Sequence, residues 1–165
     1  MNEIGEFALA MALATTCYGL VSYYMSVKGN RIDLYLSADK TPIIVWAFVT
    51  IASVALLRAF FINDFSVEYV WAYSSRELDL FYKISSFWGG QKGSLLFWTW
   101  VLTSYMVVAY FQNRHRNLEM FPYAMMVCLS ITAFFLVLLN FSTNPFEILP
   151  VPGKVSGGGM LALRV

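Results

Sequence analysis

Four long apolar stretches set what this chain can fold into. The first runs from Ile4 to Val27 with Glu6 as its only charge, and the second from Ile43 to Ile62 with Arg58 as its only charge. The third, Gly93 to Phe111, and the fourth, Met120 to Phe141, carry no charge. A helix rises about 1.5 Å per residue, so about 20 residues cross the roughly 30 Å hydrocarbon core of a bilayer. Lipid offers no partner to a free backbone N–H or C=O, so each stretch is expected to be a helix. Barrel strands would be shorter and alternate in polarity, and no such pattern is present. The predicted fold class is all-α: a polytopic integral membrane protein with four transmembrane helices. A soluble bundle with greasy helices is the alternative. It fails on composition, because 59% hydrophobic and 13% charged residues leave too little polar surface. The first stretch is expected to stay as a helix rather than be cleaved, since Glu3 and Glu6 precede any Lys or Arg and no small-residue cleavage pattern follows.

Orientation is read from the basic residues of the connections. Lys28, Arg31 and Lys40 lie in the first connection, and Arg114 and Arg116 in the third. The longer connection, Asn63 to Lys92, has Arg76, Lys83 and Lys92, outnumbered by Asp64, Glu68, Glu77 and Asp79. Five bases against three favour an N-out/C-out arrangement with the long loop facing outward. Pro42 and Pro122 stand where a helix start tolerates a missing N–H. Asn144-Pro145 marks the end of regular helix after Phe141. Tyr23, Tyr24, Trp46, Phe60, Phe61, Trp98, Trp100, Tyr110 and Phe111 are expected at the membrane interfaces. Thr15, Thr16 and Ser22 are candidate helix-contact residues. Cys17 and Cys128 are isolated within spans, with no Cys-x-x-Cys, and are expected to be small apolar fillers. The glycine run 157–159 makes the tail, residues 151–165, a flexible segment distinct from residues 1–150.

The most unusual segment is FYKISSFWGGQKGSLLFW, Phe81 to Trp98, where the long loop meets the third span. Trp88, Gly89, Gly90, Gln91, Gly93 and Ser94 fall within seven positions. Glycines permit a sharp turn or a close approach, and a tryptophan beside them supplies a flat rigid face. Ser94 is a candidate cap for the third span. Two readings stay open: a loop-to-helix turn anchored by interface tryptophans, or a surface that touches a ligand or partner. The glycines do not form a phosphate loop, and no strand precedes them. His115, the only histidine, lies in a basic RHR connection on the opposite side and is expected to be an ordinary loop residue. Arg58 sits near the outer end of the second span. It either snorkels to the interface or grips an anionic group such as a carboxylate. No catalytic residue and no metal site are predicted.

NEIGEFALAMAL at the start, NDFSVEYVWAYSS (Asn63 to Ser75), FYKISSFWGGQKGSLLFW and LNFSTNPFE (Leu139 to Glu147) together resemble segments of the cytochrome c-type biogenesis proteins CcmF and NrfE. They occur in family order, and the resemblance covers roughly Met1 to Pro150. It implies a multi-pass protein of the bacterial inner membrane, or of the mitochondrial inner membrane in a eukaryote, acting late in c-type cytochrome maturation. Heme arrives on a membrane-anchored chaperone. The family protein, with a thiol-handling partner that binds apocytochrome c, helps join heme to the Cys-x-x-Cys-His thiols. Members carry a tryptophan-rich outer loop, the WWD domain, flanked by heme-ligating histidines. This chain has no WGGWWxWD-like stretch and no histidine in the long loop or in any span, and Gln91 follows its Trp-Gly-Gly.

The resemblance therefore implies only the amino-terminal portion of a longer protein: a split subunit, a truncated product or a fragment. Heme b is the cofactor of the complete family assembly, and none is expected to be held by this chain alone. Expected partners are the remainder of a CcmF-type protein carrying the WWD domain, the heme-carrying chaperone, the thiol-handling partner and membrane lipid. Nucleic acid is not among them. Under this reading Trp88, Gly89, Gly90, Gln91, Gly93 and Ser94 shape the outer surface near the heme-delivery site, and Arg58 fixes helices or a propionate. The chain would be a non-catalytic part of a heme lyase. The alternatives are a structural or non-functional membrane fragment and a proton or small-solute transport subunit. The last lacks the mid-span Asp, Glu or His chain that a relay needs.

Overall fold

The computed structural model describes residues 2–29, 31–62, 69, 89–113 and 120–147. Five helices occupy them: α1 Asn2–Gly29, α2 Ile32–Ala38, α3 Thr41–Phe61, α4 Gln91–Asn113 and α5 Phe121–Phe141. There is no strand among the described residues. Four apolar helices are long enough to cross a membrane, the second of them counted across α2 and α3 together. α1, α3, α4 and α5 match the four stretches read from sequence, each within a few residues. Trp88, Arg76, Lys83, His115, Arg114, Arg116 and the tail, residues 151–165, lie outside the described residues.

The helix starts follow from local chemistry. Pro42 and Pro122 sit in the first turns of α3 and α5, where their missing N–H would have no helical partner. α5 stops at Phe141. The Ser142 N–H closes the last turn on the Leu138 carbonyl at 2.9 Å, and Thr143 adds a second N–H to the same oxygen at 2.8 Å. The connection from Lys28 to Lys40 is not a plain loop, which corrects the sequence reading. Seven residues form α2. Tyr35 packs edge-on against Tyr23 of α1, and Ala38 is buried. One face is enough to fold so short a helix against a neighbour, and it leaves no periodicity long enough to read.

Each long helix lies against the next in sequence, and α5 returns to α1, so α1, α3, α4 and α5 form a closed antiparallel ring. Two apolar clusters fill it. One, nearer the long loop, gathers Leu9, Ala12, Val49, Leu56, Phe60, Leu96, Leu136 and Phe146. The other, at the far end, gathers Tyr23, Met106, Tyr110, Phe121 and Leu129. Bilayer tails are as apolar as leucine, so close packing and hydrogen bonds rather than hydrophobic transfer hold such helices together. Gly19 shows the close packing: a Cβ placed there would overlap the Thr41 side chain at the start of α3.

α3 and α4 are clamped by a reciprocal set of bonds. Trp46 Nε1 donates to Ser104 Oγ and Trp100 Nε1 donates to Thr50 Oγ1, both at 3.0 Å. Each hydroxyl then donates to a carbonyl on its own helix, Ser104 to Trp100 and Thr50 to Trp46, both at 2.7 Å. These two tryptophans bridge helices, a role the sequence reading did not give them. Tyr23, Phe60 and Tyr110 are buried, while Trp98, Tyr24, Phe61 and Phe111 stay exposed. Thr15 and Thr16 do not reach a neighbour through their hydroxyls, which bond back to Met11 and Ala12 of α1. Cys17 is exposed and Cys128 partly buried, each within a span.

Candidate functional site

The antiparallel ring brings the start of α1, the end of α3, the start of α4 and the end of α5 to one end of the bundle. Most of the unusual sequence collects there. Tyr69, from the long loop, reads the backbone of Gly90: its hydroxyl accepts the Gly90 N–H at 3.0 Å and donates to the Gly90 carbonyl at 3.3 Å. Its ring stands edge-on to Phe60 at 5.6 Å. Tyr69 was not singled out from sequence. Nothing local marks it, because its partner lies 21 residues away.

Gly90 is buried under this phenol, and its carbonyl also takes the Ser94 N–H at 3.0 Å. That bond opens α4, which begins at Gln91. Ser94 is therefore inside the first turn and does not cap the helix, a correction to the sequence reading. Gly90 supplies the first helical acceptor in its place. Gly93 faces inward, Gln91 is exposed and Ser94 is half-buried. Gly89 is exposed, and a Cβ there would meet no described residue within 4 Å. Packing against the described residues does not require glycine at that position.

The segment after α5 folds back over α1. Asn144 Oδ1 accepts the Phe146 N–H at 2.9 Å, an Asx turn that carries the chain through Pro145. Asn144 Nδ2 donates to Glu6 Oε1 at 3.1 Å, and Asn140 Nδ2 to the Leu9 carbonyl at 3.4 Å. The turn drives the Phe146 ring into the core against Gly5, where any Cβ would overlap it. Lys92 of α4 reaches Glu147 at 2.8 Å. Gly5 and Glu6, Tyr69, Gly90 and Lys92, and Asn144, Phe146 and Glu147 thus come from four separated sequence segments and meet at one bundle end.

Arg58 lies at the same end but opens on a different face. It is exposed in the last turn of α3, where a cation complements the negative end of the helix dipole. With Ile4, Thr50, Ile51, Val54 and Ala55 it lines an apolar groove of about 270 Å³ between α1 and α3. No residue of Gly89–Ser94 lines that groove. Among the described residues no three His, Cys, Asp or Glu side chains gather, and no histidine is present. The donor set of the described residues does not fit a heme. The end of the bundle offers a hydrogen-bonded platform with an exposed glycine and a solvent-accessible Lys92–Glu147 ion pair.

No family model matches the chain. Among curated proteins it is 31% identical over 157 residues to the cytochrome c-type biogenesis protein CcmF of Haemophilus influenzae, a match that takes in 92% of the chain and 24% of that protein. It is 33% identical over 158 residues to the cytochrome c-type biogenesis protein NrfE of the same organism, over 93% of the chain and 24% of NrfE. The fold matches a solved structure of cytochrome c heme lyase CcmF with a TM-score of 0.83 at 23% identity, covering 88% of the chain and 24% of the lyase. The chain spans about a quarter of the length of the curated relatives it matches.

Proposed function

From its homology in sequence and fold with part of the CcmF and NrfE cytochrome c-type biogenesis proteins, we propose that the chain serves cytochrome c maturation as one portion of a CcmF-type assembly. The observation that carries this reading is the near-complete coverage of the chain by those relatives, set against coverage of only about a quarter of each of them. In this reading the chain corresponds to their amino-terminal portion. It supplies four spans and one outer platform, while heme ligation and the tryptophan-rich loop fall to the remainder. The platform faces outward from the bacterial inner membrane. There, Trp88, Gly89, Gly90 and Gln91 border the path by which heme reaches apocytochrome c, and Arg58 holds the lateral face toward an anionic group or a neighbouring helix. The heme-carrying chaperone and the thiol-handling partner that binds apocytochrome c meet the complete assembly.

Support comes from the way the family-like segments converge. NEIGEF, the Tyr69 segment, WGGQKGS and LNFSTNPFE all contribute to one bundle end through Gly5, Tyr69, Gly90, Lys92, Asn144 and Phe146. The test is co-expression of this chain with a CcmF-type protein lacking the matching quarter, in cells that make no other. Co-purification of the two with heme absorbance, and recovery of covalent heme on a reporter c-type cytochrome, are expected. Failure of both overturns the assembly role.

A further inference from the structure

At the end of the bundle opposite the platform, α1 and α2 form a tight hairpin. Ser26 and Arg31 close its turn: the Arg31 N–H donates to the Ser26 carbonyl at 3.2 Å, and Ser26 Oγ donates to the Arg31 carbonyl at 3.1 Å. α2 then runs back along α1, with Tyr35 against Tyr23 and Ser37 Oγ hydrogen-bonded to the Tyr18 hydroxyl. α3 alone has 21 residues, which at about 1.5 Å each give about 31 Å, the thickness of the hydrocarbon core. If α3 alone crosses the core, α2, which precedes it, lies at headgroup depth. The same holds for the last turns of α1, whose 28 residues reach about 42 Å, close to the full thickness of a bilayer with its headgroups.

The exposed surface of this hairpin has a definite chemistry. Ile32, Leu36 and Lys40 follow at four-residue spacing, with Ile32 70% and Leu36 62% exposed, while Tyr35 and Ala38 turn toward α1 and the core. Arg31 stands at the upper end of that stripe and Lys40 at the lower, both exposed. Lys28 is exposed on the adjoining turn of α1, its ammonium 5.8 Å from the Tyr24 ring. Asp33 is the one exposed acid on α2, and Asp39 is half-buried and accepts the Tyr110 hydroxyl at 3.0 Å. An apolar stripe bracketed by bases with long apolar stems is the pattern that sits between acyl chains and phosphates.

We propose that the α1–α2 hairpin binds anionic phospholipid, with Lys28 and Arg31 at one end of the stripe and Lys40 at the other supplying positive charge to headgroup phosphates and Ile32 and Leu36 against the glycerol and upper acyl chain. The two apolar side chains favour a lipid over a free anion. The test uses the full chain in nanodiscs of equal phosphatidylglycerol and phosphatidylcholine, with the lipids retained on release counted by native mass spectrometry. Preferential retention of phosphatidylglycerol is expected, weakened about fivefold for each of Lys28→Gln, Arg31→Gln and Lys40→Gln. Leu36→Asn should weaken it too. Asp33→Asn should strengthen it, a gain that misfolding cannot produce. Lys92→Gln, at the other end, should leave it unchanged. Equal retention of the two lipids overturns the proposal, as does release by Lys92→Gln but not by the hairpin variants. Binding of a protein partner to the hairpin that survives complete delipidation also overturns it.

Discussion

A methyl group added at Gly5 meets the Phe146 ring, while one added at Gly89 meets no described residue. Gly5→Leu is therefore expected to destabilise the chain by about 1–3 kcal/mol through overpacking, and Gly89→Leu to stay within about 0.5 kcal/mol. Thermal unfolding in detergent micelles, followed by circular dichroism, reads both. If the proposed function holds, Gly89→Leu should nonetheless impair cytochrome maturation, because the added side chain would stand on the proposed outer surface. Two tyrosines part in the same way. Tyr69→Phe strips the Gly90 N–H of its partner, whereas the Gly90 carbonyl keeps Ser94. A buried donor left unmade costs about 1–3 kcal/mol. The Tyr23 hydroxyl is buried and makes no hydrogen bond among the described residues. Tyr23→Phe should thus raise the unfolding midpoint while Tyr69→Phe lowers it, and equal loss from both would contradict the assignment of the two hydroxyls.

Between elements, the α3–α4 clamp is the most specific device. Each tryptophan donates to a hydroxyl four residues from the other tryptophan, so the two bonds share both helices and one register. Removing either loosens the other, and a double-mutant cycle on Trp46→Phe and Trp100→Phe should show coupling. Interhelical hydrogen bonds in membranes average about 0.6 kcal/mol and reach about 1.7 kcal/mol, so a coupling near the top of that range is expected. Strict additivity would mean that the bonds act separately. The sequence held the spacing, Trp46 to Thr50 and Trp100 to Ser104, but a reading by position placed these rings at the membrane interface. Only the antiparallel register turns the spacing into a clamp. The four spans were legible because length and absence of charge are properties of one segment alone. α2 was not, because seven residues fold only against Tyr23 and α1. The Gly-rich segment was legible as a loop-to-helix junction, yet the Ser94 cap was misplaced, since Gly90 takes the first helical bond. The meeting of Gly5 with Phe146 and of Tyr69 with Gly90 depends on ring closure, and no local pattern announces it.

For the whole molecule, ring closure makes a claim about sides. Asn140 bonds to Leu9 and Asn144 to Glu6, so the start of α1 and the end of α5 share one end of the bundle. The α1–α2 hairpin and the start of α5 share the other, through Tyr23, Tyr110 and Phe121. An even number of crossings requires this, and any slip to three or five would break it. We infer further that the platform end faces outward. In the sequence, Lys28, Arg31 and Lys40 and the Arg114–Arg116 pair fall in the two short connections, whereas Arg76, Lys83 and Lys92 are spread over a longer, acid-rich one, and the rule weights short loops. In a Cys17→Ala, Cys128→Ala background, single cysteines at Glu3 and Ser142 should both react with an impermeant maleimide in intact cells. Cysteines at Gly29 and Met120 should react only after the membrane is opened. If Glu3 and Ser142 label from opposite sides, the closed four-span ring is wrong. If they label together but only after opening, the ring stands and the outward platform falls, taking with it the placement of Gly89 and Gly90 on a path for incoming heme.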